Sequence, residues 1–174
     1  IFTLNGGSIH DNTMSNQFTS VVKVIKGGSF FMKGGDVSNN TLAVGGQNDL
    51  NAAISIEGMQ GSSTMEMTGG TITGNSSDYG GILVGTFSTN YTMSQNFSNP
   101  AHYYSTGTLN LKGGTISNNT AASLGGGIAV NGTGKLTMDG GTISGNKAPF
   151  GGGIGVNDYL TSADGRRFGE ARWR

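Results

Sequence analysis

The chain has no cysteine, so no disulfide framework holds it. A domain of 174 residues has enough core to do without one, which leaves export open. Charged residues make up only 11% of the chain and the formal net charge is zero. No global field therefore recruits nucleic acid or an anionic membrane, and neither is expected as a partner. The four arginines, Arg166, Arg167, Arg172 and Arg174, all fall in the last nine residues and read as a separate tail. No apolar run approaches the length of a membrane span, so membrane insertion of this segment is not expected, and no signal-peptide pattern is present.

Glycine is abundant, at 33 residues, and much of it sits in one phrase that returns five times. Two glycines are followed by a small polar or acidic residue, a β-branched residue and, three positions on, an asparagine. The phrase runs Gly6-Gly7-Ser8-Ile9 to Asn12, Gly34-Gly35-Asp36-Val37 to Asn40, and Gly69-Gly70-Thr71-Ile72 to Asn75. It returns as Gly113-Gly114-Thr115-Ile116 to Asn119 and Gly140-Gly141-Thr142-Ile143 to Asn146. The periods are 28, 35, 44 and 27 residues, in the range of stacked coils or propeller blades.

Apolar residues stand four and two positions before each glycine pair: Phe2 and Leu4, Phe30 and Met32, Met65 and Met67, Leu109 and Leu111, Leu136 and Met138. Alternation of period two marks a half-buried strand. Ile9, Val37, Ile72, Ile116 and Ile143 predict a second strand with one inward column. A third is predicted at Val22–Val24, Ile54–Ile56, Ile82–Val84, Ile128–Val130 and Ile154–Val156, with its middle residue outward. Three strands per repeat, without an Asn-Gly hairpin between long alternations, favour a solenoid over a four-stranded blade. The expectation is an all-β, right-handed parallel β-helix of about five three-stranded coils over residues 1–156, with residues 157–174 as a C-terminal cap or tail. Asparagines at the corners suit left-handed backbone geometry and can hydrogen-bond along the stack. The glycine triplets Gly125–Gly127 and Gly151–Gly153 precede no helix pattern, which argues against a phosphate cradle.

With these residues in hand, the segment from Gly113 to Asn119 joined to Gly125-Gly126-Gly127-Ile128-Ala129-Val130 resembles the β-helix repeats of bacterial surface proteins. Adhesins, autotransporter passengers and polymorphic outer-membrane proteins carry similar arrays. The resemblance implies an extracellular or cell-surface location and a binding role, toward glycan or a host or neighbour-cell protein, with no cofactor. The first residues already match the middle of a repeat, so the chain reads as part of a longer array with an apolar edge at Ile1–Leu4, where end-to-end self-association is expected. The same fold is similar to that of pectin lyases and related polysaccharide enzymes, which keeps a lyase, hydrolase or esterase as the alternative.

Candidate chemistry is sparse. Ser8, His10 and Asp11 share one strand and cannot meet the geometry of a nucleophilic triad. His102 has no carboxylate nearby in sequence, and two distant histidines make no metal site. Aligned carboxylates do not pair: Asp36 stands with Ser8 and Thr71, Asp139 with Lys112 and Thr68, Glu66 with Asn110 and Phe31. No catalytic residue is assigned. The long third period reflects an insertion, Thr86–Thr106, holding Phe87, Tyr91, Phe97, Tyr103 and Tyr104. Rings among Asn and Ser suit glycan or protein contact, and these five are the first binding candidates; packing of the rings back onto a sheet face is the competing reading. The second candidate is a flat outward face of Thr71, Thr73, Thr115, Ser117, Thr142 and Ser144. Its threonine rows resemble ice-binding solenoids, although threonine is also simply a favourable strand residue.

Overall fold

The computed structural model describes residues 1–15, 19–44, 51–58, 61–85 and 106–157, together with the backbone of the short strands Leu160–Thr161 and Arg167–Phe168. Every named element is a strand, and all but the antiparallel pair Leu160–Thr161 and Arg167–Phe168 stack into four parallel sheets.

The first sheet joins Phe2–Leu4, Ser29–Met32, Ser63–Met67, Gly107–Leu111 and Lys135–Met138. Its apolar residues form two inward columns, Phe2–Phe30–Met65–Leu109–Leu136 and Leu4–Met32–Met67–Leu111–Met138, matched residue for residue. The second sheet joins Ser8–His10, Asp36–Ser38, Thr71–Thr73, Thr115–Ser117 and Thr142–Ser144. Ile9, Val37, Ile72, Ile116 and Ile143 stand in one register column there, as the repeat predicts. The fourth sheet joins Ser20–Val24, Ala52–Ile56, Ile82–Val84, Ile128–Asn131 and Ile154–Asn157. These three sheets enclose one apolar core, with Phe30, Met32, Ile54, Met65, Ile72, Leu109 and Ile116 among its buried members. Each such side chain contributes about 1.5–3 kcal/mol through burial.

Two features depart from the sequence reading. A further sheet of two-residue strands, Thr13–Met14, Thr41–Leu42, Ser76–Ser77 and Thr120–Ala121, follows the asparagine corner, so four strands rather than three line each of the first four coils. These strands are too short to show a period-two pattern. The middle residues of the fourth sheet, Ser55, Leu83 and Ala129, lie on the side away from the core yet are fully buried. Leu83, Ala129 and Ala52 form a second small apolar cluster, with Tyr79 and Leu124 packed against it.

The corners also divide their work differently. The left-handed backbone falls on the residue before each stacked asparagine: Asp11, Asn39, Gly74, Asn118 and Gly145. The asparagines themselves form a hydrogen-bonded ladder. Both the backbone N–H and Nδ2 of Asn12 donate to Asn40 Oδ1, at 3.0 and 2.8 Å. Asn40 donates likewise to Asn75, Asn75 to Asn119, and Asn119 to Asn146. Each Nδ2 from Asn40 onward also donates to a carbonyl of the preceding coil: Ile9, Val37, Ile72 and Ile116 in turn. Buried amides are thereby satisfied, the condition for burying them at all.

Candidate functional faces

The outward side of the second sheet is a two-column grid. Thr71, Thr115 and Thr142 stand in one register row, and Thr73, Ser117 and Ser144 in the next. The structure thus brings all six residues of the flat candidate face together. Thr73 and Ser117 hydroxyls lie 3.1 Å apart. Neighbouring strands sit about 4.8 Å apart, so the hydroxyls repeat at that spacing along the rod.

The same two columns begin with a polar cluster. Ser8 lies across from Asp36, and His10 across from Ser38. Ser8 Oγ donates to one carboxylate oxygen of Asp36, and Ser38 Oγ donates to the other at 2.6 Å. Those two hydroxyls, with His10 nearby, hold the Asp36 carboxyl below its ordinary range. His10 Nδ1 meets Asp11 Oδ2 at 2.7 Å, and this contact raises the imidazole above its ordinary range. Ser8 therefore spends its proton on a carboxylate and His10 turns to a different one. Ser8 and His10 thus engage different carboxylates rather than one shared constellation.

Other carboxylates are likewise engaged. Glu66 Oε2 accepts from Lys112 Nζ at 2.6 Å on the outward side of the first sheet, which raises the lysine above its ordinary range. Glu57, only 3% exposed, pairs with Lys23 at 2.8 Å and accepts from Ser55 Oγ at 3.2 Å. This pair, a buried carboxylate under an exposed lysine, escaped the sequence reading; its only signal was Lys23 and Ser55 in one column with Glu57 two residues on. Asp78 holds Asn51 through two hydrogen bonds of 2.8 Å, and Asn51 reaches the Ala43 carbonyl. Among the described residues no cluster of three His, Asp or Glu could hold a metal ion. Nor is any helix there long and apolar enough to cross a membrane.

The aromatic candidates Phe87, Tyr91, Phe97, Tyr103 and Tyr104 lie outside the described residues, as does His102. What is described is the frame that holds the ends of their segment. Gly85 N–H donates to the Ile56 carbonyl at 2.9 Å. At the other end Thr106 N–H donates to Ser62 Oγ at 3.2 Å, and the Thr106 carbonyl accepts from Ser63 N–H at 3.0 Å. Both ends are therefore tied to the coil beneath, at the corner between the fourth and first sheets. In comparisons with known proteins, no family model, no curated protein and no solved structure matches this chain.

Proposed function

We propose that this chain is a non-catalytic segment of an adhesin-like bacterial protein, secreted or displayed at the cell surface, that recognises a glycan or a protein. The supporting observation is the pair of fixed positions, Gly85 and Thr106, that flank residues 86–105, a stretch that is rich in aromatic residues by sequence. Binding residues concentrate on loops held in this way, and rings beside amides and hydroxyls offer both stacking and hydrogen bonds. The coil side chains fit this division, because Ser8, Ser38, Glu57, Glu66 and the stacked asparagines are already engaged with one another. The test is a glycan and protein-ligand panel on the intact chain, on a variant in which Gly85 and Gly107 are joined by two residues, and on Tyr91→Ala, Tyr103→Ala and Tyr104→Ala. The shortened variant should lose binding while its unfolding midpoint stays within a few degrees. Turnover of a polysaccharide or ester, abolished by one point mutation, would overturn the proposal in favour of an enzyme.

A second reading rests on the register of Thr71, Thr115 and Thr142. A regular row of threonines offers a repeating hydroxyl and methyl lattice to an ordered surface such as ice. Binding that survives loop shortening but is lost in Thr115→Lys would favour it, with ice-recrystallisation inhibition as the direct assay.

A further inference from the structure

The pattern Asn-x-Ser/Thr, the acceptor sequence for N-linked sugar, occurs four times among the described residues, at Asn39, Asn75, Asn118 and Asn131. By sequence the four are equivalent. The fold separates them into two kinds. Asn39 and Asn118 are left-handed corner residues, with φ of 53° and 55°. Asn40 and Asn119 beside them enter the buried ladder, while Asn39 and Asn118 stay exposed, as do Thr41 and Thr120 two positions on. Their backbone N–H groups are tied to the Thr73 and Ser144 carbonyls at 3.0 and 3.1 Å. Neither side-chain amide makes a hydrogen bond among the described residues. The corner column runs Asp11, Asn39, Gly74, Asn118, Gly145, so the next coil sets a glycine, with no side chain, beside each of the two asparagines. Asn75 is the opposite case. It is 1% exposed, and its Nδ2 donates to Asn119 Oδ1 and to the Val37 and Thr73 carbonyls. Ser77, which completes its pattern, is also 1% exposed and donates to the Gly80 carbonyl. Asn131 is 0% exposed. Left-handed geometry explains why asparagine stands at the two exposed corners, but it leaves their amide nitrogens without a task.

We propose that Asn39 and Asn118 are sites of N-glycosylation, and that the fold closes Asn75 and Asn131 to it. The co-reactant is a sugar activated as its diphosphate, carried on a nucleotide or on a polyprenyl lipid, and a transferase supplies the base. Nδ2 of the asparagine attacks the anomeric carbon. The nitrogen–carbon bond forms as the bond from that carbon to the diphosphate oxygen breaks. The diphosphate leaves with the electron pair, and the amide proton passes to the transferase base. The exposed hydroxyl of Thr41 or Thr120 completes the recognised pattern. The two acceptors stand two coils apart, about 10 Å at the strand spacing, with Gly74 between them, so both can be occupied at once. They lie on the coil corner between the second and third sheets, and the proposal does not depend on what residues 86–105 bind.

Peptide mapping by mass spectrometry on the intact folded chain tests this. One arm supplies UDP-glucose with a soluble N-glycosyltransferase, the other a polyprenyl-diphosphate oligosaccharide with an oligosaccharyltransferase. Asn39 and Asn118 should each gain one glycan in at least one arm, and the productive arm identifies the carrier. Asn75 and Asn131 should stay unmodified in the folded chain, yet be converted in short synthetic peptides of the same sequence. Asn90 and Asn96 carry the pattern outside the described residues and are mapped on separate peptides. Thr41→Ala should abolish conversion at Asn39 and spare Asn118, and Thr120→Ala should do the reverse. Thr41→Ser and Thr120→Ser should restore it. Circular dichroism checks that each variant is folded, with Asn39→Asp and Asn118→Asp as replacements, since Asp11 already takes the same corner geometry. No conversion at Asn39 and Asn118 in either arm would overturn the proposal, as would equal conversion of Asn75 in the folded chain.

Discussion

At the scale of single residues, identity says less than partners. Asn75 and Asn131 are both buried, at 1% and 0% exposure. Asn75 accepts from Asn40 and donates to Asn119, Val37 and Thr73, whereas neither side-chain polar atom of Asn131 has a hydrogen-bond partner among the described residues. Replacing Asn75 by alanine strands the Asn40 donors and should cost about 3 kcal/mol or more in urea unfolding. Asn131→Ala removes an amide already stranded and should be neutral or stabilising. Equal losses would mean that Asn131 is satisfied in solution. The glycine pairs offer a similar contrast. Gly7 and Gly35 both have positive φ, at 88° and 78°. A Cβ on Gly7 meets nothing within 4 Å, but one on Gly35 would lie 2.5 Å from the Gly7 carbonyl oxygen. Gly7→Ala should cost the left-handed penalty alone, about 1–2 kcal/mol, while Gly35→Ala should cost clearly more.

His10 carries the pH dependence at this scale. Its folded value is raised above the ordinary 6.5, chiefly by Asp11. The associated stabilisation is complete below the unfolded value and disappears as pH rises through the raised folded value. Asp11→Asn keeps the left-handed corner tolerable and should return the imidazole titration toward 6.5, read by NMR. Unchanged titration in that variant would refute the assignment. Asp36 works in the opposite sense: its value is lowered from 3.8, so its contribution is present above that value and is lost as pH falls through the folded one.

At the scale of elements, the strands that carry a period-two pattern were legible and the two-residue strands were not. Thr13–Met14 and its stacked partners hold no internal alternation, so only their pairing reveals them. The outward burial of Leu83 and Ala129 was equally hidden, because alternation reports which side a residue faces and not what lies over that side. Loop-closure entropy grows slowly with length, so replacing Thr86–Thr106 by a short corner should leave stability nearly unchanged. The two residues Gly132 and Thr133, between Asn131 and Gly134, make the same turn one coil later and supply the template. A fall of more than about 10 °C in the unfolding midpoint, well over 2 kcal/mol at this size, would instead show that the segment packs on the scaffold.

At the scale of the whole molecule, each coil rests only on its neighbours, so stability is a sum of coil and interface terms. Protection against hydrogen exchange should peak at the amides of Ile72 and Ile116, whose side chains are fully buried, and decline toward Ile9 and Ile143, which are only half-buried.

The repeated phrase determined the parallel stacking, the inward columns and the place of the asparagine ladder, because spacing alone dictates which residues recur on one face. It determined little about function, since the repeated residues are all scaffold. Only the tertiary structure decided which residue of each corner takes the left-handed backbone, that Glu57 is buried against Lys23, and that Ser8 bonds to Asp36 rather than to its neighbour His10. Those outcomes depend on contacts between coils about 28 or more residues apart along the chain, and no local pattern encodes which atoms meet there.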